Sequence, residues 1–275
     1  MPQDKPDSIP AFEAEKAKRI RSYADQREWK QASTGWMAQA FASKYMYNFS
    51  WMGRPIIQTP VDMVAMQELI WTIKPDLIVE TGIAHGGSLT MSASMLALLD
   101  YCDAVGQGMS FDPKATRRHV LGVDIDIRQH NLAAIQAHPM AHHIRMIQGS
   151  SVSEETIVQV RTQAQGYHRI LVCLDSNHTH EHVLAELEAY APLTSAGSYC
   201  VVFDTIVDDL PDDAFPDRPW KPGNNPKTAV REYLRLLTTE NRTAADGKRL
   251  TLEVDHTLEQ KLMLSVAPEG YLRRS

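Results

Sequence analysis

The stretch Leu77-Ile78-Val79-Glu80-Thr81-Gly82-Ile83-Ala84-His85-Gly86-Gly87-Ser88 decides the fold of this chain. An apolar run ends in a carboxylate, passes a glycine turn and enters a second cluster of small residues. The run reads as a buried strand that delivers Glu80 to its carboxyl-terminal edge, with Gly82 supplying a tight turn. Gly86 and Gly87 are expected to leave bare main chain for a ligand at a helix N-terminus. Ser88 is placed as the N-cap of that helix, whose apolar positions Leu89, Met91, Met95, Leu96 and Leu99 follow. In outline this is a nucleotide-type binding turn.

Working outward, the pattern alternates between strand-like and helix-like segments. Strands are predicted at 77–81, 120–124, 144–148, 170–175 and 199–204, with helices near 88–99, 129–137, 154–164 and 182–191. Short apolar strands alternating with helices specify an α/β chain with a parallel sheet covered on both faces. After a helical segment near 228–237, the runs 250–255 and 262–267 read as an antiparallel pair at one sheet edge, joined through 257–260. Upstream, Pro60 precedes a helix over 61–73, and 11–31 is charged and helix-prone. Residues 36–51 hold Met37, Phe41, Tyr45, Met46, Tyr47, Phe49 and Trp51, with no strand expected. This stretch reads as an arm packed on the main domain or on a second subunit, with a substrate lid as the alternative. Residues 1–10 read as a disordered tail. The expected division is a tail and arm over 1–60 and a sheet domain over 61–275.

Composition narrows the partners. A formal charge of -6 speaks against a nucleic-acid partner, which needs a concentrated basic surface. No apolar run reaches membrane-spanning length, and the polar, proline-bearing N-terminus is unlike a signal peptide, so no membrane partner is expected. Cys102, Cys173 and Cys200 are odd in number and widely spaced, which fits reduced cysteines in a cytoplasmic protein.

In a doubly wound sheet, ligands bind beyond the carboxyl ends of the strands. Here all five predicted parallel strands end in polar chemistry: Glu80; Asp124 with Ile125 and Asp126; Gly149-Ser150-Ser151; Asp175-Ser176-Asn177-His178; and Asp204-Thr205. Gly82-x-Ala84-x-x-Gly87 is a degenerate dinucleotide fingerprint and weak alone. Glu80 would repel a pyrophosphate and attract an ammonium or sulfonium group. S-adenosylmethionine carries both, with a ribose diol for Asp124 and an adenine for Ser150 and Ser151. It is therefore preferred over a nicotinamide cofactor.

Asp175 and Asp204 end neighbouring strands, and two such carboxylates converge only with a cation or a proton between them. Hard oxygen ligands suit Mg²⁺, with Mn²⁺ or Ca²⁺ also compatible. His178 is expected at the top of the next helix, as general base for a hydroxyl acidified by the metal. The run His178-Thr179-His180-Glu181-His182 departs from the HxHxDH and HExxH zinc boxes. His178 is read as functional, His180 as solvated and His182 is left open. His130, His138, His142 and His143 are read as surface residues.

These residues carry a resemblance. VETGIAHGGS (79–88), LGVDIDIRQHN (121–131), IQGSS (147–151), LDSNHTHEHVLAELEAYAPL (174–193), GSYCVVFDT (197–205), RPWKPGNNPKTAV (218–230) and VAPEGYL (266–272) resemble the cephalosporin hydroxylase-like / rhamnosyl O-methyltransferase family. The resemblance implies a Rossmann-like class I methyltransferase sheet. Its layout is similar to the metal-dependent catechol-type O-methyltransferases. By that likeness Asp175 and Asp204 are metal ligands, with Thr205 at the position of an Asn ligand and Asp208 as its alternative. His178 falls where those enzymes place a lysine base. Glu80, Gly82, Ala84, Gly87, Ser88, Asp124, Ile125, Gly149, Ser150, Ser151 and Asp175 form the expected cofactor set.

The loop 207–225 is acidic and carries a stiff turn at Pro219-Trp220-Lys221-Pro222-Gly223. It follows the fifth strand, so Trp220, Asn224 and Asn225 are candidates for contacting an acceptor. The expected activity is Mg²⁺-dependent methyl transfer from S-adenosylmethionine to a hydroxyl of a sugar or secondary metabolite. Asp175 and His178 are the catalytic candidates, and a homo-oligomer is expected. A non-catalytic cofactor-binding partner of an oxygenase and an NAD(P)-dependent enzyme are the alternatives.

Overall fold

The computed structural model describes residues 8–275. Most of the expected N-terminal tail lies outside the described residues, and helix α1 (Ile9–Ser22) already begins at Ile9. It leads into α2 (Arg27–Ala42) and a short hairpin of β1 (Phe49–Trp51) and β2 (Arg54–Ile56). The strand at 49–51 departs from the expectation of none there. Three residues of an aromatic run carry too little alternation to reveal a strand.

The sheet domain then runs through α3 (Pro60–Ile73), β3 (Leu77–Thr81), α4 (Gly87–Gln107), β4 (His119–Asp124), α5 (Gln129–Gln136), β5 (Ile144–Gln148) and α6 (Glu154–Gln163). It closes with β6 (Ile170–Leu174), α7 (His180–Tyr190), β7 (Tyr199–Val202), α8 (Pro226–Thr239), β8 (Leu252–Val254), α9 (His256–Lys261) and β9 (Tyr271–Arg274). The seven strands lie in the order β5-β4-β3-β6-β7-β9-β8. The first five are parallel, and β9 is antiparallel to both β7 and β8. This is the mostly parallel α/β sheet of a class I methyltransferase. Alternate residues of β3 feed different layers: Ile78 joins one apolar core and Leu77 and Val79 the other.

The antiparallel pair forms, but not from the expected segments. The link 257–260 lies inside α9, which Asp255 caps by accepting from the Leu258 amide at 2.9 Å. The apolar run 262–267 is loop, and β9 supplies the second strand. Asp62 explains the loop. It is fully buried at the start of α3 and accepts from the Ser265 hydroxyl (2.6 Å), the Val266 amide (2.9 Å), the Tyr271 hydroxyl (2.8 Å) and the Thr59 hydroxyl (2.6 Å). Within the run, the Val266 amide thus donates to a carboxylate rather than to a neighbouring strand.

Two expectations for the β3–α4 turn also change. The N-cap of α4 is Gly86, at φ 78°, and Ser88 lies inside the helix with its hydroxyl turned onto Glu80. The glycines are covered by protein. A Cβ on Gly87 would collide with the Pro55 carbonyl and the Ile56 backbone, and one on Gly86 with Ile135. The hairpin is clamped there: the Arg54 guanidinium donates to the His85 carbonyl (2.9 and 2.6 Å) and to Asn131 Oδ1 (2.9 Å). Trp51 Nε1 reaches Ser94 Oγ at 2.9 Å.

Replacing Asp62 with alanine should destabilise the protein by at least about 3 kcal/mol, because several buried donors lose their acceptor together. Urea unfolding measures this, and a loss below ~1 kcal/mol would refute the anchoring role.

Candidate functional site

The site forms where β3, β6 and β7 end side by side. Gly82 sits at φ 88°, its amide donates to the Val123 carbonyl at 2.8 Å, and a Cβ there would strike the Asp175 backbone carbonyl. Only glycine satisfies both the left-handed backbone and the close approach. Asp124 organises the same turn: one carboxylate oxygen accepts from the Ile83 (2.8 Å) and Ala84 (3.2 Å) amides, the other from Asp126 (3.0 Å). Ile125 beside it is exposed.

At the end of β5, Gly149 leaves room for the Thr156 hydroxyl. The Ser150 carbonyl accepts from the Ser153 amide at 3.0 Å. Ser151 Oγ lies 3.0 Å from His182 Nε2, which also approaches Ser176 Oγ at 3.2 Å. Ser176 in turn donates to the buried Glu186 at 2.6 Å. His182 thus bridges the ends of β5 and β6.

Glu80 is 4% exposed and accepts from Ser88. Burial raises its carboxyl from an ordinary 4.5 to about 7, opposed only by that hydrogen bond. Asp175 is pushed well above the usual carboxylate range, first by burial and then by the charges of Asp204, Glu80 and Glu186. Glu80, Ser88 and Asp175 line an enclosed cavity walled by Met63, Met66 and Phe203.

The second cluster unites Asp175, His178 and Asp204, with one potential ligand atom from each residue lying within 4.8 Å of the others. His178 Nε2 is 3.0 Å from Asp204 Oδ2. Both aspartates sit just past their strands, which end at Leu174 and Val202, and Asp204 adopts a left-handed φ of 55°. His178 lies in the loop ahead of α7, not on the helix as expected. Thr205 and Asp208 also make contacts of their own. Thr205 is buried with its hydroxyl on the Pro268 carbonyl (2.6 Å), and Asp208 accepts from the Gly223 amide (3.0 Å) and Asn225 Nδ2 (2.7 Å). The group that the structure sets beside the two aspartates is the His178 imidazole.

The loop after β7 covers the cluster through Trp220, whose ring meets His178 edge-on at 4.8 Å between centroids. Asn224 and Asn225 are committed elsewhere: Asn224 Oδ1 accepts from the His180 amide (3.0 Å), and Asn225 caps α8. His180, expected to be solvated, places Nδ1 2.9 Å from Thr228 Oγ1. His143, expected at the surface, is 1% exposed with Nδ1 3.0 Å from the Arg118 carbonyl. Phe41 of the arm stacks edge-on with Phe215 of the loop at 5.6 Å.

Sequence reasoning missed Gln58. It lies between β2 and α3, is 6% exposed, and donates from Nε2 to Asp175 Oδ2 at 3.4 Å. No local pattern marks it, because only the docking of the hairpin brings it to the strand ends.

The model of the rhamnosyl O-methyltransferase/CmcI family matches residues 43–275. The chain belongs to that family. Membership makes it an S-adenosylmethionine-dependent O-methyltransferase. Among its relatives is a protein named rhamnosyl O-methyltransferase from Mycobacterium leprae, 28% identical over 244 residues, spanning 86% of this chain and 90% of the relative. One of the same name from Mycobacterium tuberculosis (strain ATCC 25618 / H37Rv) is 27% identical over 249 residues, 87% of this chain and 85% of the relative. Among solved structures, CmcI with Mg and SAM aligns at TM-score 0.52 and 17% identity, covering 83% of this chain and 77% of that one. That likeness concerns the fold. The family match begins inside the arm, upstream of the hairpin that carries Arg54 to the turn.

The raised Glu80 carboxyl has a thermodynamic consequence. Its folded value lies above the unfolded one, so the unfolded chain loses this proton first and stability falls as pH rises from about 4.5 to about 7. Glu80→Gln should leave stability at pH 4 unchanged and raise that of the ligand-free protein at pH 8 by up to about 3 kcal/mol. Thermal unfolding across pH reads this, and identical profiles would refute the assignment.

Proposed function

We propose that this chain methylates a hydroxyl of a sugar-type small molecule, using a divalent cation held by Asp175 and Asp204. The observation that carries the reading is the convergence of Asp175, His178 and Asp204 beside the Glu80 cavity. The donor set fits: two converging carboxylates suit Mg²⁺ or Mn²⁺, with Ca²⁺ also compatible, and the His178 imidazole stands beside them as the base. The repulsion that raises the Asp175 carboxyl is what a cation relieves. When bound, the cation supplies positive charge that acidifies a hydroxyl, and S-adenosylmethionine supplies a methyl already activated on sulfur.

The protein's own part is positioning and one proton. Asp204 accepts the Nε2 proton of His178, which leaves Nδ1 as the basic nitrogen for the acceptor hydroxyl. Trp220 braces that imidazole and offers an aromatic wall at the acceptor side. Glu80 faces the cationic end of the cofactor, Gly82 and Ala84 shape the turn beside it, and Asp124 holds that turn near the ribose. Ser150 and Ser151 stand at the adenine end. A sugar acceptor is favoured by the names of the mycobacterial relatives and by the acidic surface, which disfavours nucleic acid.

Assays with S-adenosylmethionine and rhamnose-bearing acceptors test this. Turnover should vanish with EDTA and return with Mg²⁺, and turnover that survives EDTA would overturn the metal role. Asp204→Ala should lower kcat/KM by at least ~10³-fold, the scale of losing one preorganised electrostatic group. It should leave binding of S-adenosylhomocysteine within about threefold, a change of less than about 1 kcal/mol. Asp124→Ala should instead weaken cofactor binding by at least ~10-fold, the loss of one strong hydrogen-bond set. If calorimetry shows both variants losing the same property, the division into a cofactor half and a metal half is wrong.

A further inference from the structure

Gln58 is the buried polar group that the mechanism above does not use. In the structure its Nε2 donates to Asp175 Oδ2 at 3.4 Å. Its Oε1 is the other end of the amide, and it is fully buried without a partner. Unpartnered buried oxygens are uncommon because desolvation is costly, so each one asks for an explanation. Gln58, Glu80, Ser88 and Asp175 line one cavity. Ser88 is spent on Glu80. Glu80, Asp175 and Gln58 Oε1 are then the groups able to accept from a ligand, with the Ser92 hydroxyl beside them. Apolar side chains, among them Met66, Met91 and Phe203, close the rest of the wall.

A cavity whose charged and amide groups can accept, set among apolar side chains, complements a cation with several N–H groups. A primary ammonium has three. Such a group gains from the carboxylate charges in a poorly solvated space and satisfies the amide oxygen at the same time.

We propose that Gln58 is a cofactor-binding residue of the arm, whose Oε1 accepts a hydrogen bond from the ammonium of the methionyl part of S-adenosylmethionine. The inference rests on the cofactor reading above and extends the pocket beyond the sheet. The hairpin fixes Gln58 for this task. Arg54 grips the His85 carbonyl, and Pro55 and Ile56 fill the space over Gly87, so the segment carrying Gln58 is held against the very turn that binds the cofactor. The arm is thus part of the cofactor pocket.

The test compares two ligands by calorimetry. S-adenosylhomocysteine carries the ammonium, whereas 5′-methylthioadenosine shares the adenosine and thioether but lacks the amino acid. Gln58→Met keeps the length and removes both polar atoms. It should weaken S-adenosylhomocysteine binding by ~10–150-fold, the range for one hydrogen bond to a charged group, and leave methylthioadenosine within about twofold. If that variant does not fold, Gln58→Asn, which withdraws the oxygen by one methylene, should show the same split. Unchanged binding of both ligands, or equal weakening of both, would overturn the inference while the cofactor reading stands. Failure of the wild-type protein to bind S-adenosylhomocysteine would overturn the cofactor reading and this inference together.

Discussion

The contact on which the candidate site depends is the approach of Gly82 to the backbone of Asp175. The amide of Asp175 donates to the Thr81 carbonyl at 3.0 Å, extending the β3–β6 ladder past the end of both strands. With a side chain at position 82, the two strand ends would have to part. Their closeness puts Glu80 and Asp175 into one cavity, and the pairing of β6 with β7 then brings Asp204 within reach. The strand order reverses direction here, with β4 on one side of β3 and β6 on the other. A crevice at such a switch point needs no special construction.

That placement carries a cost in stability. Glu80 is buried, Asp175 lies between the charges of Asp204 and Glu80, and the one resolved cause that lowers the Asp175 carboxyl is the bond from Gln58. A fold optimised for stability alone would neutralise or expose these groups. Positive ligands recover the loss when they bind, which couples stability to ligation. Asp62 shows the contrasting case. Burial raises its carboxyl too, but four donors oppose that shift, and it serves as an anchor between α3 and the C-terminal segment.

The arm belongs to this arrangement. Its hairpin fills the space over Gly87, and its α2 helix places Phe41 against Phe215 of the loop that also carries Trp220. The arm therefore touches both sides of the crevice: the β3–α4 turn through Arg54, the end of β6 through Gln58, and the covering loop through Phe41. Aromatic richness at 36–51 signals packing of some kind, and packing needs only apolar area. Which surface it packs on is a matter of shape.

The parallel strands and their terminal carboxylates are legible from the chain because both are local. Apolar runs of strand length mark buried strands, and their order along the chain places Glu80, Asp124, Asp175 and Asp204 at one edge. The family motifs sharpen this reading. The run 262–267 misleads because apolarity reports burial, and a buried loop bonded to Asp62 is as apolar as a strand. Thr205 and Asp208 are candidates by position, and only the structure shows that the Thr205 hydroxyl donates to Pro268 and that Asp208 accepts from the α8 cap residue Asn225. Sequence by itself determined which chemistry reaches the sheet edge, since strand period and strand end are local properties. Only the tertiary structure decided that His178 stands beside Asp204 and that Gln58 comes from the arm, because those contacts depend on loop paths and docking that no local pattern encodes.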